Sequence, residues 1–589
     1  MRSIGRWIFF GILIGLVSGL GAILFNFLLQ RGTQFFMKDL PAILIPREFE
    51  GGPFLGIPIY QWMMLWIPAF GGLFSGLIVL HFAPEAEGHG TDAMIDSFHR
   101  KKGLVRKRVP IIKTIASAIT IGSGGSAGKE GPIAQIGSGF ASFLSSLLKM
   151  EERDRRIMLL AGAAGGIGAI FKAPMGAALF ATEVLYRKPE FEFEAIIPSL
   201  FSSIVAYTVF TLYYGWGTVF QIPILVPIIT PSELLLYAVL GGLCSVVGFI
   251  YISFFYGLRD RFFKPLALPR FAKPALGGLL LGGLALLFPQ VLGGGYDWIQ
   301  SAIDGNLAAG LMLGLAFAKI AATSFTISSG GSGGVFAPSL FIGAMLGGFY
   351  GTLCSQLFPE LLLKPSAFVL VGMGGFFAGV AKVPIASLLL VAEMTGGYSL
   401  IVPLLIVSTI SYLLLGEFSL YEKQVPTRVD SPAHLGEFAT NILEHIPVKN
   451  ALPADRNIEV IPEEMRLDRM IDLIVDSSQM DFPVVDKEGA LKGILSLTDV
   501  RKVMLDKDVH RLVVAKDIAT EGVLTVTPED SLHTALKMMT GAEIRELPVV
   551  TRENPRRVIS MLGRKDVIRT YHDEIEKMER LKRNLKRAS

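Results

Sequence analysis

A lysine and a glutamate stand side by side in a glycine-rich break between two apolar segments. The stretch from Gly122 to Gly139 reads Gly-Ser-Gly-Gly-Ser-Ala-Gly-Lys-Glu-Gly-Pro-Ile-Ala-Gln-Ile-Gly-Ser-Gly. A charged side chain at bilayer depth costs at least about 2.5–3.5 kcal/mol, so Glu130 is a functional candidate if these segments lie in a membrane. Glycine lets the backbone approach a ligand closely, and Pro132 suits the first turn of a new helix, whose free N–H groups form a site for an anion. The stretch therefore predicts an anion site that carries an acidic side chain.

The composition is that of a membrane protein with a soluble part attached. Of 589 residues, 51% are hydrophobic, 18% are charged and 64 are glycines. The chain is too apolar for an ordinary soluble protein and too long for one domain. Cys244 and Cys354 lie in apolar segments and indicate neither a disulfide framework nor a metal cluster. The net charge of +4 is mild for this length, which argues against a nucleic-acid partner.

Basic residues near the N-terminus and at positions 100–108 predict how the chain is oriented in the cell membrane. Arg2 and Arg6 precede the uncharged run Trp7–Gln30, which is long enough to span and is followed by no convincing cleavage site, so it is predicted to be a membrane helix rather than a signal peptide. A second run covers residues 57–82. Residues 100–108 then carry six basic side chains and no acid, which the positive-inside rule assigns to the cytoplasm. The N- and C-termini are accordingly predicted to be cytoplasmic.

Further apolar segments follow, and several are too short to span about 30 Å of hydrocarbon. They are interrupted by Gly, Ser and Pro, and irregular backbone at membrane depth is tolerated only where it is buried in protein or lines a polar path. The segments cover residues 110–121, 132–148, 157–171, 173–186, 195–214, 232–256, 272–293, 307–327, 336–358, 367–381, 384–395 and 398–416.

An internal repeat relates two halves of this region. Gly128-Lys-Glu-Gly-Pro132 has a counterpart 206 residues later in Gly334-Val-Phe-Ala-Pro338, and residues 165–174 resemble residues 375–384, which lie 210 residues later. Transport folds built from two such halves hold the substrate at the membrane midplane, where the N-termini of half-helices converge on an anion. The sequence therefore predicts an all-α polytopic membrane domain with an inverted repeat and broken helices.

Four side chains at matching positions of the repeat are predicted to be structural. Glu183 and Glu393 stand equally far beyond the second proline of each half, and we expect each to bond backbone close to it in the chain. Lys172 and Lys382 stand at helix junctions, where we expect the same kind of role.

The chain beyond Glu417 no longer contains long charge-free windows. Residues 423–445 are predicted to be a linker, and residues 446–509 and 510–575 to be two copies of a small α/β unit. Apolar residues at helical spacing precede a strand in each copy, Phe482–Val485 and Leu547–Val550, at an offset of 65 residues. A second strand follows each, at residues 493–496 and 558–561. Residues 576–589 are predicted to form a basic, solvated tail.

Four motifs in the membrane part carry a family resemblance. They are Gly88-His-Gly-Thr-Asp92, Gly128-Lys-Glu-Gly-Pro132, Gly334-Val-Phe-Ala-Pro338 and Tyr421 beyond the last membrane helix. In this order and spacing, residues 1–422 resemble the CLC family of chloride channels and chloride/proton exchangers. Residues 446–575 resemble the paired CBS domains that follow some of its members. The resemblance implies a lipid-embedded homodimer with one pore per subunit, which carries chloride or another small anion.

The resemblance also assigns roles to residues. Glu130 matches the gating glutamate, whose carboxylate mimics an anion in the outer site and swings away when it is protonated or displaced. The backbone N–H groups of Val335 and Phe336 match donors at the central anion site, and those from Lys129 to Gly131 match donors at the outer site. The Tyr421 hydroxyl matches the side-chain donor on the inner side.

Two positions depart from the family pattern. His89, followed by Gly90, stands where the family usually has serine, so the second side-chain donor to the central anion would be an imidazole, which leaves the anion selectivity open; an ordinary hydrogen-bonded histidine is the alternative. Val184 stands where exchangers commonly carry a proton-transfer glutamate. Glu183 faces about 100° around the helix and cannot replace it. Because many channels of the family have valine here and some exchangers lack the acid, Val184 favours a channel without excluding an exchanger.

The soluble part contains a nucleotide-binding element of the CBS type. Ser496-Leu-Thr498-Asp499 resembles the Ser/Thr-x-x-Asp element that holds a nucleotide ribose, and the carboxylate suits a 2′,3′-diol. The second copy, Gly563-Arg-Lys-Asp566, keeps the acid and lacks the hydroxyl. The resemblance implies an adenine nucleotide as ligand, and a structural CBS pair without ligand is the alternative.

These observations favour a gated chloride channel with Glu130 as its gate and regulation by the CBS pair; the alternative is a proton-coupled chloride exchanger. Neither requires a cofactor. An ATP-driven pump does not fit, because a P-loop needs glycine where Ser123 stands and Ser or Thr where Glu130 stands. An enzyme does not fit either, since residues 423–589 show no nucleophile–base pair or metal cluster.

Overall fold

The computed structural model describes residues 2–41, 59–222, 231–434, 443–452, 458–477, 479–504, 512–574 and 577. It divides into two compact units, Met1–Ala433 and His434–Ser589, and each is described by itself. The predicted tail at residues 576–589, apart from residue 577, lies outside the described residues. The same holds for residues 435–442 of the predicted linker.

The first unit is built from sixteen helices within the described residues, which confirms the predicted all-α membrane fold. Its first half contains α1 (Arg2–Gln34), α2 (Ile59–Phe82), α3 (Gly90–His99), α4 (Val109–Gly122), α5 (Glu130–Leu147), α6 (Glu152–Phe171), α7 (Pro174–Glu183) and α8 (Phe193–Tyr214). Its second half contains α9 (Pro231–Leu258), α10 (Lys273–Leu287), α11 (Tyr296–Ile303), α12 (Ala309–Ser328), α13 (Phe336–Leu357), α14 (Pro365–Ala381), α15 (Pro384–Thr395) and α16 (Ile401–Leu414).

Helix length separates spanning from broken segments. Within the described residues, seven helices are long and apolar enough to cross a membrane: Gly5–Asp39, Trp62–Phe82, Phe193–Tyr214, Pro231–Phe263, Arg270–Leu287, Ala309–Ser328 and Phe336–Leu357. Shorter apolar helices include Val109–Gly122 and Pro384–Thr395. Large apolar side chains such as Leu212 and Val246 are exposed on the long helices, as expected for surfaces that face hydrocarbon.

The breaks have a local cause in each repeat. Lys172 and Lys382 end α6 and α14 in the left-handed region, at φ 53° and 61°, and a proline then begins the next helix two residues later, because proline cannot continue the preceding one. The lysine side chains stabilise the junctions, but through carbonyls that are distant in the chain rather than nearby as expected: Lys172 Nζ donates to the Gly215 carbonyl at 2.7 Å, and Lys382 Nζ donates to the Tyr412 carbonyl at 3.1 Å.

Matching glycines let the helices of each repeat pack closely. A methyl group added at Gly137 of α5 would overlap the carbonyl oxygen of Gly162 in α6. In the second repeat, a methyl group at Gly343 of α13 would overlap the carbonyl oxygen of Gly372 in α14. The two broken-helix pairs are therefore assembled by the same backbone-to-backbone contact, which only glycine permits.

The second unit contains two small sheets and several helices. Strands β1 (Ile461–Pro462), β2 (Asp481–Val485) and β3 (Leu491–Ser496) form one sheet, in which β1 is parallel and β3 antiparallel to β2; β4 (Glu546–Val550) pairs antiparallel with β5 (Val558–Gly563). The register shifts at the same point in both copies, after Val484 and after Val549. The helices are α17 (Leu467–Asp476), α18 (Leu497–Met504), α19 (Ala515–Ile518) and α20 (Leu532–Gly541), and residues 564–574 are also helical.

Candidate anion pathway between the two repeats

The two glycine-rich loops of the repeat are joined to each other. Gly128 and Gly334 form an antiparallel bridge, in which each N–H donates to the other residue's carbonyl at 2.7 Å. Helix α5 begins at Glu130 and helix α13 at Phe336, so the bridge holds two helix N-termini side by side. The first N–H groups of a helix have no intrahelical acceptor, and together with the helix dipole they favour an anion.

Buried side chains support the loops beside this bridge in matching ways. Lys113 of α4 donates to the carbonyls of Ala86 and Gly88 at 3.0 and 2.7 Å. Lys319 of α12, which is 206 residues later, donates to the carbonyls of Val291 and Gly293 at 2.8 and 2.7 Å. Hydroxyl pairs link the halves in the same reciprocal way, between Ser117 and Ser332 and between Ser126 and Thr323, each at 3.0 Å.

Glu130 lies at the meeting point of the two helix starts. Its side chain is buried, and the amide N–H of Ala337, in the first turn of α13, faces its carboxylate. The hydroxyl of Tyr296 donates to Oε1, while Oε2 makes no hydrogen bond of normal geometry within the described residues. A carboxylate of one repeat therefore points at the helix start of the other, with Lys129 and Gly131 on either side of it in the chain. Tyr296 has no motif in the sequence and was not predicted to be a site residue.

His89 and Tyr421 lie together at a second polar region. Their ring centroids are 5.6 Å apart, and His89 Nε2 lies 3.4 Å from Oδ2 of Asp92. Both His89 Nδ1 and the Tyr421 hydroxyl are buried, and neither makes a hydrogen bond of normal geometry within the described residues, although Thr91 faces the hydroxyl. Buried polar atoms are rarely left unpaired in proteins, so both groups fit partners of a bound anion. His89 Nδ1 can donate to it in the tautomer that carries the proton on Nδ1, or in the imidazolium, which pairs with Asp92 as well.

Two cavities open at these regions. One, of about 610 Å³, is lined by Gly88, His89 and Gly330 among others. The other, of about 810 Å³, is lined by Lys129, Tyr296 and residues that include Gly124 and Gly293–Gly295. Gly90 begins α3 directly after His89. The repeat thus gives each cavity one glycine-rich loop and one helix start from matching positions of the two halves.

Aromatic rings form an apolar wall beside the start of α13. The ring of Phe336 lies 4.1 Å from that of Phe377, 4.5 Å from that of Phe171 and 5.9 Å from that of Phe180, measured between centroids. The N–H groups of Val335 and Phe336 therefore stand next to a surface that excludes water, which strengthens their electrostatic effect on an anion.

The predicted inner acid position is occupied by a buried valine. Val184 directly follows the last residue of α7, and its carbonyl accepts from the side-chain amide of Gln424 at 2.9 Å. Glu183 turns away and accepts from the N–H groups of Ile385 and Ala386 at 3.2 and 2.7 Å. The expectation that it bonds nearby backbone is wrong in this respect, because its partners belong to α15 of the other repeat.

Glu393 makes the reciprocal contact. It accepts from the N–H groups of Met175 and Gly176 at the start of α7, at 3.1 and 2.7 Å. Each glutamate therefore caps the broken helix of the opposite repeat, since the first N–H groups of α7 and α15 have no acceptor within their own helices. A partner some 200 residues away cannot be read from a local motif, although the matching positions of the two residues indicated a shared role.

The second unit contains a cavity of about 530 Å³ at the predicted nucleotide element. It is lined by Ser496, Thr498 and Asp499, but Asp566 is not among its lining residues. Ser496 Oγ donates to Oδ2 of Asp499 at 2.6 Å, so this carboxylate also stabilises the start of α18. Burial raises the pKa of Asp481, which lines the same cavity, and the nearby Asp499 carboxylate raises it further, while Arg545 opposes the shift.

Comparison with known proteins agrees with this architecture. Residues 71–416 match the family model described as voltage gated chloride channel, and residues 448–506 and 515–573 match that of the CBS domain. The chain is 32% identical over 410 residues to the H(+)/Cl(-) exchange transporter ClcA of Vibrio cholerae serotype O1 (strain M66-2), covering 68% of this chain and 84% of the relative. It is also 32% identical over 419 residues to chloride channel protein CLC-e of Arabidopsis thaliana, covering 67% of this chain and 57% of the relative.

The fold is similar to that of a crystal structure of a slow cyanobacterial Cl-/H+ antiporter. The TM-score is 0.63 at 24% identity, over 70% of this chain and 94% of the other; at that identity the likeness concerns the fold. The bridged helix starts, the matching motifs and the family match together show that this multi-pass membrane chain belongs to the CLC family of chloride-transporting proteins and carries a pair of CBS domains.

Proposed function

We propose that this chain is a proton-coupled chloride exchanger in which Glu130 serves both ions. The observation that carries the proposal is the burial of the Glu130 carboxylate at the start of α5, facing the Ala337 N–H at the start of α13. A carboxylate and a chloride ion compete for such N–H groups because both are small anions. The carboxylate leaves the path when chloride displaces it or when it takes up a proton, and this shared step couples the two ions.

We prefer chloride/proton exchange to the gated channel, although Val184 at the inner acid position favours the channel. The ClcA relative from Vibrio cholerae is named as a H(+)/Cl(-) exchange transporter and aligns over 68% of this chain, which supports the same activity here. The gated channel is the second candidate, because the buried Val184 offers no acid at the inner position. An exchanger with this valine would take protons to Glu130 by another route.

We also propose the assembly and the ligands that the family resemblance implies. The chain forms a homodimer with one pathway in each subunit, and both termini are cytoplasmic because residues 100–108 are strongly basic. Chloride is bound by the N–H groups of Val335, Phe336 and the segment from Lys129 to Gly131. His89 and Tyr421 add side-chain donors, and the cavity with Ser496, Thr498 and Asp499 takes an adenine nucleotide; Asp566 lies outside that cavity.

The test is ion flux in proteoliposomes at a clamped membrane potential. A chloride gradient should drive protons uphill at a fixed ratio, and the reversal potential should respond to a pH gradient. Glu130→Gln should stop proton movement while chloride still moves, because the amide cannot carry a proton; Glu360→Gln, at an exposed position, is the matched control. A reversal potential that follows the chloride gradient alone would contradict exchange and support the channel.

A further inference from the structure

Tyr296 occupies a position that the repeat makes equivalent to one in the first motif. Lys319 bonds the carbonyls of Val291 and Gly293, as Lys113 bonds those of Ala86 and Gly88. The loop Gly293-Gly-Gly-Tyr296 is therefore the counterpart of Gly88-His-Gly-Thr91, and Tyr296 corresponds to Thr91. Thr91 faces the hydroxyl of Tyr421 in one polar region, and Tyr296 contacts Glu130 in the other.

The backbone fixes where Tyr296 can reach. Gly295, directly before it, has φ +79°, a left-handed conformation that favours glycine. A methyl group at Gly294 would lie 2.9 Å from the tyrosine ring, so the glycines also leave room for the ring to fold back over the loop. Helix α11 begins at Tyr296 itself. The side chain consequently starts from a rigid turn rather than from a mobile loop.

Two neighbours hold the ring in this orientation. The ring of Phe220 stacks on it with a centroid distance of 6.0 Å and an interplanar angle of 27°. The ammonium group of Lys129 lies 5.1 Å from the ring centroid, a distance at which a cation is attracted to an aromatic face. The hydroxyl is thereby directed at Oε1 of Glu130. A phenolic O–H that donates to a carboxylate forms a charge-assisted hydrogen bond, which is stronger than a neutral one.

We propose that Tyr296 is a positioning residue that latches the Glu130 carboxylate in the anion path. The hydrogen bond stabilises the state in which the carboxylate occupies the site at the two helix starts, so an incoming anion must break it to displace the side chain. Lys129 acts through the ring, by keeping the phenol over the carboxylate. This inference rests on the proposed gating role of Glu130 and adds the residue that sets how firmly the gate is held.

The experiment compares Tyr296→Phe with the unaltered chain in the full-length protein. Phenylalanine keeps the ring, its stacking on Phe220 and its contact with Lys129 while it removes the donor. Chloride affinity, measured by isothermal titration calorimetry in detergent, should increase by about tenfold, as expected for the loss of a hydrogen bond to a charged group. Chloride flux at neutral pH should rise as well. Tyr398→Phe, at an exposed tyrosine, is the matched control and should change neither.

A double-mutant cycle separates the latch from a structural effect. In the Glu130→Ala background, Tyr296→Phe should leave chloride affinity unchanged, because no acceptor for the Tyr296 hydroxyl remains on that side chain. Equal effects of Tyr296→Phe in both backgrounds would overturn the latch. So would a Tyr296→Phe variant with unaltered affinity and flux while Glu130→Gln alters both. If Glu130→Gln itself changes neither chloride nor proton movement, the proposed gating role fails first, and the two failures are thus distinguishable.

Discussion

A single glycine makes room for the acidic side chain of the anion path. A methyl group at Gly128 would overlap Oε2 of Glu130 and would lie 3.0 Å from the backbone nitrogen of Ala337. The same residue also makes both backbone hydrogen bonds to Gly334. Gly128 therefore serves the site because its backbone closely approaches the carboxylate and Ala337, and not because it adopts an unusual φ angle.

Gly128→Ala is predicted to displace the Glu130 carboxylate from the helix starts. Chloride flux at neutral pH should then resemble that of Glu130→Gln, and overpacking should reduce the free energy of unfolding by about 1–3 kcal/mol. Flux in proteoliposomes and the melting temperature in detergent measure the two effects. Gly242→Ala is the matched control, since nothing lies within 4 Å of a methyl group there. Normal flux and stability in Gly128→Ala would show that the carboxylate does not occupy this space.

His89 is predicted to contribute directly to chloride binding. Its Nδ1 is buried and makes no hydrogen bond of normal geometry within the described residues. The same is true of the hydroxyl of Tyr421, whose ring lies beside that of His89. His89→Ala should weaken chloride affinity by about 1.5 kcal/mol, the lower end for a hydrogen bond to a charged group. Calorimetric titration with chloride measures it, with the exposed His81→Ala as control. An unchanged affinity would assign His89 to the ordinary structural role that its contact with Asp92 also permits.

At the scale of elements, the broken helices are stabilised by exchange of caps between the repeats. Glu183 bonds the start of α15 and Glu393 bonds the start of α7. A short helix at membrane depth cannot obtain these acceptors from water, and an unsatisfied buried N–H costs about 1–3 kcal/mol. The two glutamates therefore hold the half-helices of opposite repeats in place, and Glu183 is occupied by this role rather than left to replace the acid missing at Val184.

Replacement of either cap by alanine is predicted to destabilise the first unit without abolishing coupling. Glu183→Ala and Glu393→Ala each leave two N–H groups without their acceptor, so each should cost at least about 2 kcal/mol, and more at Glu183, which is fully buried. Thermal unfolding in detergent measures the loss, with Glu360→Ala as an exposed control. Proton-to-chloride stoichiometry in the surviving protein should be unchanged. Loss of proton movement at normal stability would instead assign Glu183 a place in proton transfer.

The sequence predicted where the helices lie better than it predicted which residues contact each other. Apolar runs, proline positions and the repeat offset located the broken helices, because these depend on residues close together in the chain. The donors to Glu183 and the contact of Tyr296 with Glu130 depend on residues roughly 200 and 166 positions apart, and no local pattern contains them. Aligning Lys113 with Lys319, at an offset of 206 residues, pairs Thr91 with Asp297. The offset of 205 that pairs Thr91 with Tyr296 comes from the carbonyls that the two lysines contact, Gly88 and Gly293, and is visible only in the structure.

At the scale of the whole molecule, the sites of the two units differ in how they respond to negative charge. In the proposed function, the first unit binds an anion through backbone N–H groups, which stand beside an apolar wall of phenylalanines. The cavity of the second unit has the opposite character, since four acids and one arginine line it: Asp481, Asp499, Glu543, Glu546 and Arg545. Such a cavity suits the diol of a ribose, which donates to carboxylates, and it disfavours a chain of phosphates because like charges repel. The ligand of the CBS pair should therefore carry few negative charges.

Adenosine is accordingly predicted to bind the full-length protein more tightly than ATP. Calorimetric titration in detergent at neutral pH measures both affinities, and Asp499→Asn should weaken adenosine binding because it removes the carboxylate that accepts the ribose hydroxyls.

Asp481→Asn should improve the binding of ATP but not that of adenosine. The raised pKa of Asp481 means that this acid takes up a proton as pH falls through that pKa, so lowering the pH should imitate Asp481→Asn for ATP in the wild type and add little in the variant. Asp486→Asn, outside the cavity-lining residues, is the control. Tighter binding of ATP than of adenosine would contradict the charge argument, and binding of neither at millimolar concentration would support a structural CBS pair.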